Sequence, residues 1–243
     1  MEKKQNAQSA LVIIGNEILS GRTHDKNMQY IGEKMAAHGT PLKEVRVVAD
    51  VESKVIEAVN ALRAEYDHVF TTGGIGPTHD DITAECISKA FGVKYTTHDE
   101  AFAVLTEYYG ESDFTPARQK MAKMPEGVTL IPNPISGAPG FTIGNVHVMA
   151  GIPRVMQAML DHLVSEIAGG DPVLSKTVTS HLPESEIAEG LGDIQNKYPA
   201  VDIGSYPGFR NGKLWSSVVL RATDGATLDK ATSEVENFIE TLS

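Results

Sequence analysis

Apolar positions fall into two kinds of run along this chain. Ala10–Ile14 is an unbroken apolar stretch closed by Gly15. A run this short, without polar alternation, suits a strand covered on both faces. Val45–Val48, His68–Thr72 and Val146–Met149 read as further strands. Between them the period lengthens to that of a helix. Lys26–His38 places Met28, Ile31 and Met35 at helical spacing and is stopped by Gly39 and Pro41. Glu52–Tyr66 carries Val55, Val59 and Leu62 on one face, and Asp81–Phe91 turns Ile82, Cys86 and Ala90 inward. Thr97-His98-Asp99-Glu100 reads as a capping box ahead of Phe102, Leu105 and Tyr109. A loop-rich stretch with five prolines spans Pro116 to Pro139, and Pro153 then opens a helix to about Ala168.

Strands alternating with helices predict right-handed crossovers and a mostly parallel sheet with helices on both sides. Gly169-Gly170-Asp171-Pro172 is the linker candidate, dividing the chain into domains 1–170 and 171–243. Beyond it the pattern reads strand Lys176–Ser180, helix Glu184–Tyr198, strands Val201–Ser205 and Leu214–Thr223, and helix Leu228–Leu242. Asn211-Gly212 is a two-residue hairpin signal. This order predicts a small α+β domain.

Charge narrows the partners. Lys and Arg number 21 against 32 Asp and Glu, a formal charge of −11 over 243 residues. Nucleic acid is disfavoured, because binding its backbone requires a basic face. A small anion needs only local donors. The single cysteine, Cys86, has no internal partner and fits a reducing compartment. No stretch approaches the ~20 apolar residues of a membrane helix. The opening MEKKQNAQSA lacks the apolar segment of a secretory leader and reads as a polar tail over residues 1–8. A cytoplasmic protein without membrane contact is expected.

The most informative segment runs from Thr71 to Glu85. It leaves a strand, passes through Gly73-Gly74-Ile75-Gly76-Pro77-Thr78-His79-Asp80 and opens a helix. Glycines let the backbone approach a ligand, and a helix start offers unpaired amides to phosphate. The segment lacks the third glycine of a dinucleotide loop and the Gly-Lys-Ser/Thr of a Walker loop. Asp81 and Glu85, four residues apart, share one helical face. Two readings follow. Asp80 or Thr78 caps the helix while Asp81 complements its dipole. Alternatively, the carboxylates hold a divalent cation such as Mg²⁺, Mn²⁺ or Co²⁺, which lets acids sit beside a polyphosphate. His79 could donate to a phosphate, bind a metal or remain solvated, and Lys26 and Arg154 could meet a phosphate or remain solvated. His147 in its strand, Cys86 on its inward helical face and Trp215 near the hairpin read as packing residues, and Ser136 has no triad around it.

Four ordered motifs carry a family resemblance. Gly73–Glu85 resembles the signature of the molybdopterin-binding MoaB/MogA/gephyrin-type domains. With Gly15-Asn16-Glu17-Ile18-Leu19-Ser20-Gly21, Asp25 and Asn27, with Asn133-Pro134 through Gly137-Ala138-Pro139-Gly140-Phe141, and with Gly151-Ile152-Pro153, the chain looks closer to CinA amino-terminal domains and to the corresponding domain of eukaryotic FAD synthases. Gly204-Ser205-Tyr206-Pro207 is similar to the FAD synthase version.

The resemblance implies a three-layer MogA-like fold. It implies that Gly73, Gly74, Ile75, Gly76 and Thr78, with Gly137, Ala138, Pro139 and Gly140, hold a phosphate-bearing ligand. It implies catalytic roles for Asp81 and Asp80 and a metal held by Glu17, Asp25 and Asp81. Homo-oligomers occur among the relatives. Asn16 and Val155 stand where the CinA pattern has acids. Two functions follow: a divalent-metal-dependent pyrophosphatase acting on a nucleotide such as ADP-ribose or FAD, or a non-catalytic module that binds molybdopterin or a nucleotide in molybdenum cofactor biosynthesis.

Overall fold

All six residues of the first strand, β1 (Ser9–Ile14), are buried, and its side chains divide between two cores. Ala10, Val12 and Ile14 face one; Leu11 and Ile13 face the other. That division explains why the strand shows no polar alternation. The computed structural model describes residues 6–210 and 213–242. The chain separates into two compact units, Met1–Gly170 and Asp171–Ser243.

In the first unit β1 is followed by α1 (Asn16–Leu19), α2 (Asn27–His38), β2 (Leu42–Val48), α3 (Glu52–Glu65), β3 (His68–Thr72) and α4 (Thr83–Phe91). Next come β4 (Tyr95–Thr97), α5 (Asp99–Tyr109), α6 (Pro116–Gln119), a 3-10 turn (Lys120–Ala122), β5 (Lys123–Pro125) and β6 (Thr129–Ile131). The unit closes with β7 (Gly140–Ile143), β8 (Val146–Met149) and α7 (Pro153–Val164). The main sheet has the order β2-β1-β3-β8-β7-β6. β2, β1, β3 and β8 are parallel, and β7 and β6 join antiparallel. Helices α3, α4 and α5 cover one face; α2 and α7 cover the other. This is the expected three-layer α/β arrangement. Each core leucine or isoleucine so covered contributes roughly 1.5–3 kcal/mol.

Three local expectations are corrected. Met28 is 47% exposed, because α2 turns Asn27, Ile31 and Met35 inward. Asn27 holds the inner position of the first turn by donating from Nδ2 to the Gly151 carbonyl at 2.8 Å. The helix after the glycine loop starts at Thr83 rather than Asp81, with no side-chain cap. Neither Thr78 nor Asp80 therefore caps it. Finally, His98 rather than Thr97 caps α5, its Nδ1 accepting from the Ala101 amide at 3.3 Å. Thr97 is held in β4 opposite Lys123. The stretch read as loop-rich contains α6, β5 and β6 and leads into β7, elements of three or four residues too short to show a period.

The second unit runs β9 (Leu174–Ser180), α8 (Glu184–Lys197), β10 (Asp202–Arg210), β11 (Lys213–Ala222) and α9 (Gly225–Leu242). Its antiparallel sheet has the order β10-β11-β9. Val178, Val218 and Leu220 of the sheet share one core with Ile187 and Leu191 of α8 and Val235 of α9. The expected α+β unit is present. β10 continues beyond Ser205 through Pro207, which an edge strand tolerates because its amide need not join a ladder. Trp215 packs on Gly208, its cross-strand neighbour. The Asn211-Gly212 turn lies outside the described residues. Among the described residues no helix is long and apolar enough to cross a membrane.

Candidate functional site

β1, β3 and β8 are adjacent and parallel, so the loops after Ile14, Thr72 and Met149 leave the same edge of the sheet. Ligands of open α/β sheets bind there. The glycine loop is shaped by its neighbours. Gly73 has φ +102° and Gly74 φ +67°, values that suit glycine. A Cβ on Gly73 would lie 2.2 Å from the Ile14 carbonyl oxygen, and one on Gly74 would lie 2.2 Å from Thr83 Oγ1. The Gly73 amide donates to the Met149 carbonyl at 3.2 Å, tying the loop to β8. Thr83 holds the far end. Its Oγ1 donates to the Gly73 carbonyl at 2.9 Å, and its amide to the Gly74 carbonyl at 3.0 Å. Between these ties the amides of Gly74, Ile75 and Gly76 have no acceptor among the described residues.

These three residues line a cavity of about 700 Å³. Glu17 and Thr23 come from the segment after β1, Gly151, Ile152, Pro153 and Val155 from the segment after β8, and Asn133, Ser136 and Ala138 from the loop before β7. Asn133, 6% exposed, pins that loop. Its Oδ1 accepts from the Ile135 and Ser136 amides, and its Nδ2 donates to the Ala138 carbonyl at 2.8 Å. Pro139 lines a narrower notch beside Gly74, Gly76, Asp81 and Lys120. Gly137, at φ +75°, lies against the Tyr108 ring, and Gly140 sits inside β7.

The acids behave differently from one another. Asp81 lines the cavity, and its Oδ2 accepts from the Thr78 amide at 2.8 Å. Thr78 Oγ1 lies 2.5 Å from both Asp81 Oδ2 and Asp80 Oδ1, and its single proton serves one at a time. That hydroxyl, with the Asp80 amide second, holds the Asp80 carboxyl below its usual pKa. Thr78, His79 and Asp80 are exposed and do not line the cavity. Glu85 does not join Asp81: it pairs with Lys89 at 2.8 Å, and Lys89 also reaches Glu52 at 2.6 Å. Asp25 Oδ1 accepts the Met28 amide at 2.8 Å and so satisfies an amide in the first turn of α2.

The set expected to hold a metal therefore does not assemble. Among the described residues no group of three or more His, Cys, Asp or Glu side chains is placed to hold an ion. Glu17 and Asp81 share the main cavity, while Asp25 faces a smaller chamber beside it.

The structure adds cations that the sequence reading passed over. Arg118 lines the cavity with its guanidinium 4.3 Å from the centre of the Tyr109 ring. Its Nη1 donates to the Asp113 carbonyl at 2.5 Å, which fixes the side chain. Lys120 donates from Nζ to the Thr78 carbonyl and lines the notch next to the glycine loop. Thr115-Pro116, a helix-start signal inside the proline-rich stretch, was the cue for both. Arg154 is exposed and outside the cavity lining. Cys86 is buried and its thiol is pushed up to about 11 by burial, so it carries no nucleophile. His147 is 3% exposed between His68 Nδ1, at 3.1 Å, and Thr142 Oγ1, at 3.0 Å.

A fold with unpaired glycine-loop amides beside a cavity at the carboxyl edge of a mostly parallel sheet defines an α/β domain of the small-molecule-binding type. Residues 10–170 match the family described as probable molybdopterin binding domain, and the chain belongs to that family. Residues 172–242 match the middle domain of FAD synthase. A protein of Pyrobaculum arsenaticum is 33% identical over 228 residues, covering 89% of this chain and 86% of that protein. One from Archaeoglobus fulgidus is 32% identical over 197 residues, covering 81% of this chain and 84% of its own. The crystal structure of the protein CinA, of unknown function, from Thermoplasma acidophilum superposes with a TM-score of 0.63. It is 34% identical and covers 67% of this chain and 99% of that one.

Proposed function

We propose that the first unit binds a phosphate-bearing pterin or nucleotide, with the phosphates on the amides of Gly74, Ile75 and Gly76. The observation that carries this reading is those three unsatisfied amides at the wall of a 700 Å³ cavity. The volume falls within the roughly 300–1,000 Å³ of small-molecule sites. Ile75, Pro77, Tyr109, Met121, Ile152 and Val155 give the ring system an apolar wall. Arg118 and Lys120 offset Glu17 and Asp81. Gly73, whose own amide is spent on Met149, serves by keeping the turn tight. Ala138 and Pro139 close the opposite side of the cradle, and Gly137 and Gly140 shape their loop.

Cleavage of the pyrophosphate in a substrate such as ADP-ribose or FAD is the second reading. It is favoured by one arrangement: two carboxylates, Glu17 and Asp81, line the same cavity as the cradle. The binding reading needs no resident ion, and the side chains do not form a preformed metal set. In the binding experiment ADP-ribose, FAD and inorganic pyrophosphate are titrated by calorimetry. Arg118→Ala should weaken the nucleotides by about 10–100-fold, the worth of a charge-assisted hydrogen bond of roughly 1.5–3 kcal/mol. Failure of inorganic pyrophosphate to bind would sink the reading. AMP release from the same nucleotides is assayed with Mg²⁺, Mn²⁺ or Co²⁺ added in turn. Product that disappears in Asp81→Ala supports cleavage; tight binding without product supports the binding module alone.

A further inference from the structure

Beside the main cavity lies a chamber of about 60 Å³ that shares Glu17, Gly73 and Gly151 with it. Two of its polar wall side chains are almost fully buried: Thr72, 1% exposed at the end of β3, and Asn27, 4% exposed at the start of α2. Each presents an oxygen with no hydrogen-bond partner in the protein, Thr72 Oγ1 and Asn27 Oδ1. The Asn27 amide is oriented by its Nδ2, which donates to the Gly151 carbonyl, so the oxygen is necessarily the free end. Glu17 and Asp25 place carboxylates on the same chamber. Buried polar atoms are rarely left unmatched. Asn27 Oδ1 and the Glu17 and Asp25 carboxylates can only accept, and apart from Thr72 the donor side chains on the chamber are the exposed Thr23, His24 and Lys26.

Resting on the cradle reading above, we infer that this chamber recognises an exocyclic amino group next to a ring nitrogen on the bound heterocycle. The two amino hydrogens go to Asn27 Oδ1 and to a carboxylate. The Thr72 hydroxyl, able to donate, meets the ring nitrogen. The chamber admits the edge of a ring rather than a whole ring, which matches its size. An oxo group in the same place would set an acceptor against Asn27 Oδ1 and the carboxylates. Sites that hydrogen-bond a substrate N–H reject analogues without it strongly. The ligand class is thus an aminated heterocycle carrying phosphate, with the amine deep and the phosphates on Gly74–Gly76.

ADP and IDP test this directly, because they differ by an amine against an oxo group on one ring. Dissociation constants of the unmodified full chain should favour ADP by at least about tenfold. In Thr72→Val, a near-isosteric change that removes an unmatched hydroxyl, the melting temperature should hold or rise while the ADP-to-IDP ratio falls. Equal binding of ADP and IDP would mean that the chamber holds only water, and would overturn the inference. An unchanged ratio in Thr72→Val would overturn it as well. Inorganic pyrophosphate separates the two readings. Should it fail to bind, the cradle is wrong; should it bind while ADP and IDP bind alike, only the chamber is.

Discussion

Gly73→Ala is expected to lower the stability of the first unit by about 2–5 kcal/mol and to remove nucleotide binding. The new methyl group would meet the Ile14 carbonyl oxygen at 2.2 Å, and neither partner is the flexible end of a side chain. Left-handed backbone costs a non-glycine residue roughly 1–2 kcal/mol, and overpacking typically adds 1–3. At roughly 2–4 °C per kcal/mol for a unit of this size, the loss should appear as about 4–20 °C in melting temperature. Relief of the clash can come only by parting β1 from β3 or by lifting the loop, and either moves the Gly74–Gly76 amides. Gly76→Ala separates the two effects. Its Cβ would come nearest the Asp81 carboxylate, a side-chain end at 2.7 Å, without a positive φ, so binding should suffer more than stability. Wild-type melting and binding in Gly73→Ala would contradict the geometry.

Acid is expected to destabilise the fold well above the range in which carboxylates titrate. Burial, with His68 adding a smaller repulsion, pulls His147 down to about 3 in the folded chain. Its unfolded value is near 6.5. The folded pKa is therefore depressed. The neutral ring contributes its full stability above about pH 6.5, and that contribution is lost as pH falls towards 3, because the unfolded chain takes up the proton first. At about 1.4 kcal/mol per pH unit, lowering the pH from 6.5 to 4.5 should cost roughly 2–3 kcal/mol. His68, also depressed by burial, adds to the same slope. Urea midpoints at several pH values measure this. His147→Gln cannot titrate, so its stability should change less across that window, whatever its absolute level. A slope equal to that of the parent would rule out His147 as the source.

How far the sequence could be read depended on element length and on what each glycine touched. β1 was legible because five consecutive apolar residues have no alternative except burial on both faces. The long helices were legible in their centres and misread at their starts. Asn27 took an inner position because the Gly151 carbonyl needed a donor, and no local pattern encodes a partner from the far side of the sheet. The glycine loop could be located, but the work its acids do could not. Asp81 looked helical until Thr78 drew it into the loop, and Glu85 was claimed by Lys89. Arg118 and Lys120 were hidden in a proline-rich stretch because α6 has only four residues. Such cations are found through the tertiary path of the chain, which brings α6 to the cavity, and not through periodicity.

The decisive measurement follows the backbone amide resonances of Gly74, Ile75 and Gly76 while inorganic pyrophosphate is added to the full chain. These amides have no acceptor in the protein, so they should shift together, saturably and downfield, as phosphate oxygens accept from them, while the Gly73 amide, already bonded to Met149, moves less. Saturable binding that leaves those three signals in place, or no binding at all, would contradict the account.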